Sequence, residues 1–525
     1  MASRRDFLRT LVVSSGAVFA GLPLSCSDDS QVRKKEINRF AGNGDSASIL
    51  PDNQFYELAH KYIREKHPAP QSSVVTRKCD VAIIGAGPSG LTAAMHLKRA
   101  GYDVLVIENE HRAGGAAVGG EYNGLRYPYA AIYFVDYNED MKDVCGYAGV
   151  EPIAAPPDSV LYNKQKIEDY WQDASIRQMP VPKNELDILR RFRDDILAMD
   201  EIPSYPLPES LSPQLAQYDA MTVAEYMKKY QSDFLRKFVN LYTRSSMGGS
   251  IDETNVYCFL NFYSSEIGKD ARTPRYTLDG GMSGLSRPLS EKIGNDRFLF
   301  GHLCYRAEQS QSGVHIQTIN REGRRVDINA RQCIFSTQKY MLPAVIPQMP
   351  SAQKTAIASM KYSPYLTVHL CSDNPNLLTD SSFDTWTPEA EPYFTDYINP
   401  RTIFTNPASK ATVASLYVPQ SADDRGSLQS DEVIVSKSRK AAQKFCEIHN
   451  RISPDDIHEI HAFAWGHSIV IPGVGSHNGI AQAASRSIGT SIHFAHTDND
   501  SAPAIENAVV NGSRVAEKII TFLNA

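Results

Sequence analysis

The amino-acid sequence predicts an α/β protein, because apolar runs typical of buried strands are each followed by a turn and then by a helix or a further strand. Residues 81–84 (VAII) are such a run, and the glycine-rich turn GAGPSG follows them. Residues 492–495 (IHFA) are a second one, followed by a polar loop and a helix that starts near Pro503. Between these segments, VHIQTI and CIFST are predicted strands on either side of the turn REGRR.

The segment from Cys79 to Glu110 has the pattern of a dinucleotide-binding βαβ unit. Gly85 permits a tight turn out of the first strand, Gly87 lets a pyrophosphate approach the backbone, and Gly90 lets the helix over residues 91–100 pack on the strand. Glu108 ends the second strand, where it can accept hydrogen bonds from ribose hydroxyls. The pattern therefore predicts a Rossmann-like domain. Its predicted cofactor contacts are Gly85, Ala86, Gly87, Pro88, Ser89, Gly90 and Glu108.

The residues that follow distinguish FAD from NAD. The sequence ENEHRAGG places an acid, Arg112 and the pair Gly114–Gly115 in an ExxxRxGG pattern. This resembles the flavin amine oxidase superfamily, which includes monoamine and polyamine oxidases, amino-acid oxidases, phytoene desaturases and protoporphyrinogen oxidases. The resemblance implies that Arg112 lies near the FAD ribose and pyrophosphate and that the glycines pass close to the cofactor. Many members carry arginine at the position of Ala116, so one phosphate contact differs here.

The carboxyl-terminal region is similar to the closing motif of the same superfamily, FAG(D/E) followed by a helix of small residues. In the sequence FAHTD, His496 replaces the glycine and Asp498 takes the place of the acid. The resemblance implies that Asp498 completes the flavin site. No cysteine lies in or just before this motif, so we expect non-covalent FAD.

The resemblance implies a discontinuous FAD-binding domain and an α+β substrate-binding domain, an amine oxidase-like architecture. Residues 276–293 (YTLDGGMSGLSRPLSEKI) resemble the segment that returns to the FAD domain, and backbone near Cys304 is expected to hold the adenine. The predicted divisions are a signal segment 1–26, a spacer and arm 27–75, an FAD domain of 76–135, 275–345 and 456–525, and a substrate domain of 136–274 and 346–455.

Candidate flavin-facing residues come from two segments. Ala130, Ala131 and Tyr133 belong to YPYAAIYF, where family members line the flavin with small residues, and Trp465 and His467 lie where amine oxidases place an aromatic wall. For each aromatic residue, ordinary core packing is the alternative interpretation. The lysine that family members link through water to the flavin, and that is associated with the reaction of reduced flavin with oxygen, aligns with Thr367. Lys361 is nearby but out of register.

Composition excludes several classes of function. The chain has 525 residues, enough for two or three domains. Its formal charge of −6 gives no basis for nucleic-acid binding. No apolar run of about 20 residues follows residue 30, so no membrane span is expected after the first segment. The eight cysteines form no CxxC pair and no zinc-type spacing with histidine, so we predict buried free thiols and no metal site.

The first residues predict export. The sequence SRRDFL, with Arg4 and Arg5, resembles the twin-arginine signal, which implies the twin-arginine translocase as a partner and a periplasmic location. An ordinary secretory signal with a basic start is the alternative. Cys26 ends the apolar stretch as LPLSC, which leaves two outcomes open: a lipid anchor at Cys26, or cleavage after Ala20.

Three functions fit these observations. The leading hypothesis is oxidation of an amine C–N bond by hydride transfer to FAD, with a layout similar to exported bacterial spermidine dehydrogenases and a periplasmic electron acceptor. The second is desaturation or aromatisation of an apolar substrate. The third, from another class, is a flavoprotein scaffold without turnover. The missing flavin-side lysine favours a dehydrogenase over an efficient oxidase.

Overall fold

The computed structural model describes residues 48–53, 56–70, 74–208, 210–268, 275–378, 381–404, 406 and 408–525. The twin-arginine pair, Ala20 and Cys26 lie outside the described residues. The strands are β1 Ser48–Asn53, β2 Val74–Ile84, β3 Val104–Ile107, β4 Gly119–Tyr122, β5 Leu125–Pro128, β6 Tyr133–Phe134, β7 Ile153–Ala154, β8 Ser159–Tyr162, β9 Gln165–Glu168, β10 Tyr276–Thr277, β11 Phe298–Leu299, β12 His302–Ser310, β13 Gly313–Asn320, β14 Arg325–Phe335, β15 Lys361–Ser372, β16 Asp384–Trp386, β17 Asp396–Ile398, β18 Thr412–Pro419, β19 Glu459–Ile471 and β20 Ile492–Phe494.

The described α-helices of seven or more residues are α1 Pro88–Arg99, α2 Glu139–Ala148, α3 Lys183–Leu197, α4 Pro213–Asp219, α5 Asp233–Met247, α6 Val256–Glu266, α7 Ser283–Ile293, α8 Ser351–Ser359, α9 Asp431–Ile448 and α10 Ile505–Asn524. Other helical segments include the shorter Glu57–Ala59 with His60–Arg64, Val223–Met227, Leu342–Val345 and Ala481–Ala484, and the 3₁₀ helix Ala422–Gln429.

The first sheet is built around β2, in the order β11-β3-β2-β14-β13-β12, with β20 beside the end of β14. The strands β11, β3, β2, β14 and β20 are parallel, and β13 and β12 add an antiparallel hairpin. Residues on one face, such as Val81 and Ile83, pack with α1, α7 and α10. Residues on the other, such as Ala82 and Ile84, pack with the β12–β13 hairpin. Because both faces are covered there, β3 and the second half of β2, Val81–Ile84, are apolar throughout.

The second sheet has eight strands in the order β1-β19-β15-β18-β17-β16-β8-β9. Side chains alternate along its long central strands. On β15, Leu366 and Val368 pack with α9, whereas Tyr365 and Cys371 point to the opposite face, toward the segment 118–133. This opposite face meets the part of the chain that leaves the first sheet, and it therefore forms one wall of the candidate site.

The sheets place three segments differently from the predicted divisions. The range 456–525 was assigned to the FAD domain, but β19 pairs with β15 and β1 in the second sheet. The helix α2 was assigned to the substrate domain, but its Met141 and Val144 pack with α1 and α10. The predicted arm contributes β1 to the second sheet. Sequence spacing does not reveal these partners, because the contacts that decide them are remote in the chain.

Within the described residues, no helix combines the length and apolarity that crossing a membrane requires. The same residues contain no group of three or more side chains that could hold a metal ion. Seven of the cysteines are described and all are free thiols, with Cys79 and Cys446 partly exposed and the others buried.

Candidate functional site

The glycine-rich turn between β2 and α1 is packed too closely for side chains at two positions. Gly85 has a φ of +104°, and a Cβ there would lie 2.9 Å from the carbonyl oxygen of Ser336. A Cβ on Gly90 would lie 2.1 Å from the carbonyl oxygen of Gly85. Gly87, the N-cap residue of α1, has no side chain that could cap the first-turn N–H groups, so this helix start is suited to bind an anion.

A second glycine pair faces this turn. A Cβ built on Gly115 would lie 3.1 Å from the Cα of Gly87, while a Cβ on Gly87 would lie 3.9 Å from the Cα of Gly115. The Gly114 N–H donates to the carbonyl oxygen of Ala86 at 2.8 Å. Two backbones therefore approach each other without side chains between them, and we call this pair the Gly87–Gly115 cradle. The implied passage of the cofactor close to these glycines stays a prediction. Arg112 lies 5.5 Å above the ring of Tyr129, at the edge of this cradle.

Glu108 follows β3 and turns its carboxylate back onto the glycine-rich turn. It accepts hydrogen bonds from the Ala86 N–H at 2.7 Å and the Glu110 N–H at 2.9 Å. Burial raises the pKa of this carboxyl, and the backbone hydrogen bonds act in the opposite direction. These contacts fix the carboxylate at the end of the strand, where the sequence predicts a ribose contact.

The segment predicted to hold the adenine lies at the start of β12. The Gly301 N–H donates to the carbonyl oxygen of Glu110, and the His302 N–H to that of Glu108, both at 2.9 Å. Cys304, two residues further, is buried and its backbone faces Thr318 of β13. The predicted adenine contact near Cys304 stays a prediction.

The carboxyl-terminal segment of the chain packs against the glycine-rich turn and α1. The Ser89 hydroxyl donates to the carbonyl oxygen of Ala495 at 2.6 Å. A Cβ on Gly512, within α10, would lie 2.4 Å from the carbonyl oxygen of Ser89. The helices α1 and α10 therefore pack at backbone contact distance, which places the FAHTD motif beside the first glycines.

Asp498 is fully buried at the centre of this closure. Its Oδ2 accepts hydrogen bonds from the Lys339 N–H at 2.9 Å and the Tyr362 hydroxyl at 2.6 Å. The Nδ1 of His496 lies 3.0 Å from its Oδ1. Burial raises the pKa of Asp498, but the imidazole of His496 and the charge of Lys339 outweigh burial and hold it at about 2. Asp498 is therefore ionised at neutral pH.

Lys339 was not anticipated from the sequence. It is fully buried just after β14, and its Nζ donates to Asn499 Oδ1 at 2.5 Å. Burial lowers the pKa of its ammonium group to about 8, although Asp498 opposes this shift. A single lysine in the apolar and aromatic sequence CIFSTQKYML, directly after a predicted buried strand, was the available signal.

The residues present fit FAD. Thr337 Oγ1, beside Gly85, and Asn507 Nδ2, in the first turn of α10, are buried atoms with no hydrogen-bond partner among the described residues. The uncapped helix start and the Gly87–Gly115 cradle lie at the glycine-rich turn, Thr337 contacts Gly85 there, and α10, which carries Asn507, packs on α1. Such groups are costly to bury alone, and a cofactor with phosphate, ribityl and ring oxygens and nitrogens would pair them.

The segment 129–131 connects this cradle to the second sheet. The Thr367 hydroxyl donates to the carbonyl oxygen of Tyr129, and the Tyr417 hydroxyl to that of Ala130, both at 2.7 Å. On the other side, the Ala131 N–H donates to the carbonyl oxygen of Ala116 at 3.1 Å. Ala130 and Ala131 are therefore held between the cradle and the second sheet, and their role as flavin-lining residues stays a prediction.

The three predicted catalytic residues make different contacts. Trp465 lies beside Phe463, with ring centroids 4.8 Å apart, and Phe463 stacks on Tyr129. The Nε1 of Trp465 is buried and has no partner among the described residues. His467 instead stacks on Tyr340, which is 41% exposed, at 3.9 Å. Burial and nearby positive charge lower the pKa of His467 to about 4.

Tyr133, the third predicted catalytic residue, lies under the guanidinium of Arg275, with a centroid distance of 4.3 Å. Tyr133 packs against the same apolar cluster as Trp465, but no hydrogen bond or ring contact among the described residues joins Tyr133, Trp465 and His467. The structure thus places Trp465 and Tyr133 in the cluster beside Tyr129, whereas His467 stacks on Tyr340.

The position predicted for the flavin-side lysine is taken by Thr367, which is fully buried. Lys361 lies at the exposed start of the same strand, paired with Ile471. Thr367, and not Lys361, therefore contacts Tyr129, and the alignment of the family lysine with Thr367 stays a prediction.

A family model described as flavin containing amine oxidoreductase matches residues 88–520. The chain belongs to this family. The match confirms the predicted FAD cofactor and, with the solved structures, the amine oxidase-like α/β fold. The export signal and the similarity to exported spermidine dehydrogenases stay predictions.

Several relatives are similar over part of the chain. A probable flavin-containing monoamine oxidase A of Dictyostelium discoideum is 24% identical over 294 residues, 51% of this chain and 58% of that protein. A limonene dehydrogenase subunit of Castellaniella defragrans is 48% identical over 59 residues, 11% of each chain. The chain thus matches less than two thirds of the length of these relatives.

Solved structures are similar over most of the chain. Cyclohexylamine oxidase from Brevibacterium oxydans IH-35A has a TM-score of 0.66 at 20% identity, covering 85% of this chain and all of that one. Wild-type putrescine oxidase bound to putrescine has a TM-score of 0.65 at 17% identity, with the same coverage. At these identities the similarity establishes the fold.

Proposed function

We propose that this protein is an exported FAD-dependent oxidoreductase that oxidises an amine C–N bond by hydride transfer to non-covalently bound FAD. The observation that carries the proposal is that the segment 129–131 is hydrogen-bonded to the second sheet on one side and to Ala116, next to the Gly87–Gly115 cradle, on the other. Relatives and fold neighbours named as amine oxidases support the substrate class. FAD would supply the hydride acceptor.

The chain's own residues would position the substrate. Trp465, Phe463 and Tyr129 form an aromatic wall, and the unpaired Trp465 Nε1 can donate a hydrogen bond toward the site. The carbonyl groups of Tyr129 and Ala130 are fixed by hydroxyls from the second sheet, so the flavin-lining backbone is rigid before a substrate binds.

A second candidate is oxidation of an apolar hydrocarbon. The 48% identity over 59 residues to the limonene dehydrogenase chain favours it. Against it stands the number of buried ionisable groups near Tyr133, including Arg275 and Glu266, which are expensive to bury beside a hydrocarbon. We therefore favour the amine.

We further propose that the twin-arginine translocase exports the folded holoprotein and that a periplasmic electron acceptor, rather than oxygen, reoxidises the flavin. The pair Arg4–Arg5 and the buried threonine at position 367 support these two points.

Anaerobic bleaching of the purified yellow protein tests the function. Aliphatic amines should bleach the flavin absorbance within seconds to minutes, and limonene should not. Bleaching by limonene alone would favour the hydrocarbon reaction, and a flavin that no substrate reduces would favour a scaffold role.

A further inference from the structure

A row of hydrogen-bonded side chains connects the aromatic wall of the site to the surface of the second sheet. Tyr127, on β5, is 1% exposed. Its hydroxyl lies 2.5 Å from Nδ1 of His461, on β19, and Nε2 of that imidazole lies 2.8 Å from a carboxylate oxygen of Glu459. The side chains of His461 and Glu459 are 21% and 36% exposed. The Tyr127–His461–Glu459 row therefore begins in the interior of the protein and ends in water.

The inner end of the row contacts Tyr129, which belongs to the aromatic wall. A side-chain hydrogen bond joins Tyr127 to Tyr129, and their ring centroids lie 5.7 Å apart. The hydroxyl of Tyr129 is covered by the β4–β5 hairpin, since a Cβ on Gly120 would lie 2.5 Å from it. The ring of Tyr129 stacks on Phe463 at 4.6 Å. Tyr129 is thus in contact with both the wall and the row.

Each group of the row can accept one proton while it donates another. Burial raises the pKa of Tyr127 well above its ordinary value, so its hydroxyl stays neutral and can both accept and donate a hydrogen bond. An imidazole does the same through its two nitrogens. When Tyr127 donates to Nδ1 of His461, the ring carries its own proton on Nε2 and donates it to Glu459. The donors of the row then all point outward.

The other ionisable groups around His461 do not interrupt this order. Those that face its imidazole from the neighbouring strands and loops are Cys371, His369, Tyr122 and Asp373. Burial raises the pKa of Cys371 and lowers that of His369, so both are uncharged at neutral pH. Asp373 lies 3.4 Å from the exposed His458. Glu459 is therefore the carboxylate to which His461 is hydrogen-bonded within the described part of the chain.

The proposed reaction releases a proton inside the site. An alkylammonium ion has a pKa of about 10.4, like the side chain of lysine, so an amine substrate arrives protonated at pH 7. Its nitrogen must lose a proton before its lone pair can stabilise the iminium ion that hydride loss creates. Within the aromatic wall, Phe463 has no polar atom and the indole of Trp465 is a donor only. The hydroxyl of Tyr129 is the group of the wall that can take up a proton.

We propose that Tyr129 and the Tyr127–His461–Glu459 row carry away the proton that the substrate ammonium loses before hydride transfer. The N–H bond of the ammonium breaks and its proton goes to the Tyr129 oxygen, while one proton moves outward along each hydrogen bond and leaves from Glu459 to water. The neutral amine then gives a hydride from its adjacent carbon to FAD and becomes an iminium ion. The inference rests on the proposed amine oxidation; it makes Tyr129 a catalytic residue and His461 a positioning residue that acts through Tyr127.

Flavin reduction by butylamine is followed by stopped flow without oxygen, at pH 7 and at pH 10. His461→Gln should slow reduction about tenfold or more at pH 7, where the ammonium must be deprotonated in the site. At pH 10 about a quarter of the amine is neutral before it binds. The difference from the wild type should then shrink to about twofold or less. A loss of packing alone would slow the reaction equally at both pH values.

A second readout needs no turnover. Holoenzyme with ¹⁵N-labelled histidine is photoreduced without oxygen, and butylamine is then added. Because the row connects the wall to His461, binding should shift the ring-nitrogen resonances of this histidine, which are identified by their absence in His461→Gln. Tyr127→Phe interrupts the row and should remove the shift. This variant should also repeat the kinetic pattern, and it serves if His461→Gln does not fold.

His458→Gln is the matched control, because His458 directly precedes β19, its side chain is 45% exposed and it lies beside Asp373. Both readouts should be unchanged in it. Equal slowing at the two pH values, no slowing at either, or a resonance shift that persists in Tyr127→Phe would overturn the proton path. A wild-type flavin that no amine bleaches would instead overturn the proposed function, and the proton path with it.

Discussion

The backbone of Gly115 faces that of Gly87 across the nucleotide cradle, and a Cβ on Gly115 would lie 3.1 Å from the Cα of Gly87. This contact joins the turn after β2 to the loop after Glu108. The sequence predicts that both segments contact the same cofactor. The two glycines differ, because Gly115 has a φ of +56° whereas Gly87 has an ordinary negative φ. A side chain at Gly87 therefore tests cofactor space without backbone strain.

Gly87→Val should fold but fail to bind FAD. In the folded chain the nearest atom to a Cβ there is 3.9 Å away, so the added side chain fills cofactor space and not packed protein. We expect a colourless protein with far-UV circular dichroism like that of the wild type and no FAD released on acid precipitation.

Two variants serve as comparisons. Gly146→Ala, at an exposed helical position with open space around its Cα, should keep full FAD content. Gly90→Val should not fold, because its Cβ would overlap the carbonyl oxygen of Gly85. Normal FAD content in Gly87→Val would contradict the placement of the cofactor.

Asp498→Asn should lose about 2 kcal/mol of stability at pH 7, from a pKa of about 2 in the folded protein against 3.8 in the unfolded chain. Because the folded pKa is the lower one, the ionised carboxyl stabilises the fold above about pH 4, and this contribution disappears as the pH falls to about 2.

Urea unfolding of both proteins between pH 7 and pH 3 measures this difference. The gap between wild type and variant should narrow below pH 4. A gap that stays constant across this range would mean that the loss comes from packing and not from the charge of Asp498.

Reduced enzyme should react slowly with oxygen. Positive charge beside the reduced flavin would stabilise negative charge developing on oxygen, and its absence at Thr367 is expected to slow this step by about 10²-fold. Stopped-flow reoxidation by air-saturated buffer is compared with reoxidation by an artificial acceptor, which should be faster.

Two lysine variants test whether a cation elsewhere in the site speeds the reaction of the reduced flavin with oxygen. Lys361→Met should change nothing, since this side chain is exposed at the start of β15. Rapid reoxidation by oxygen that Lys339→Met then slows would contradict the prediction and give the buried Lys339 the role.

Replacing Arg4 and Arg5 together by lysine should leave precursor in the cytoplasm, because the translocase reads the arginine pair. Cell fractionation with detection of the chain measures export, and Arg9→Lys is the control within the same segment. Continued export of the double variant in a strain without this translocase would show that an ordinary secretory signal operates.

The sequence by itself determined the nucleotide half of the site. The turn from Gly85 to Gly90, the strand end at Glu108 and the pair Gly114–Gly115 are local features, since turn geometry, helix start and strand periodicity depend on neighbours within a few residues. For the same reason the predicted strand at residues 104–107 was found with its exact bounds, and the predicted helix at 91–100 was found as Pro88–Arg99.

The tertiary structure decided which residues lie opposite the nucleotide half of the site. The pairing of Lys339 with the Asp498 segment, the place of β19 in the second sheet and the grouping of Asp384 with Asp396 and Glu266 each join segments far apart in the chain. Burial also decided which of these side chains are charged. Sequence spacing does not predict such contacts. Their free energies come from the removal of water and from the interaction of charges that only the folded chain brings together.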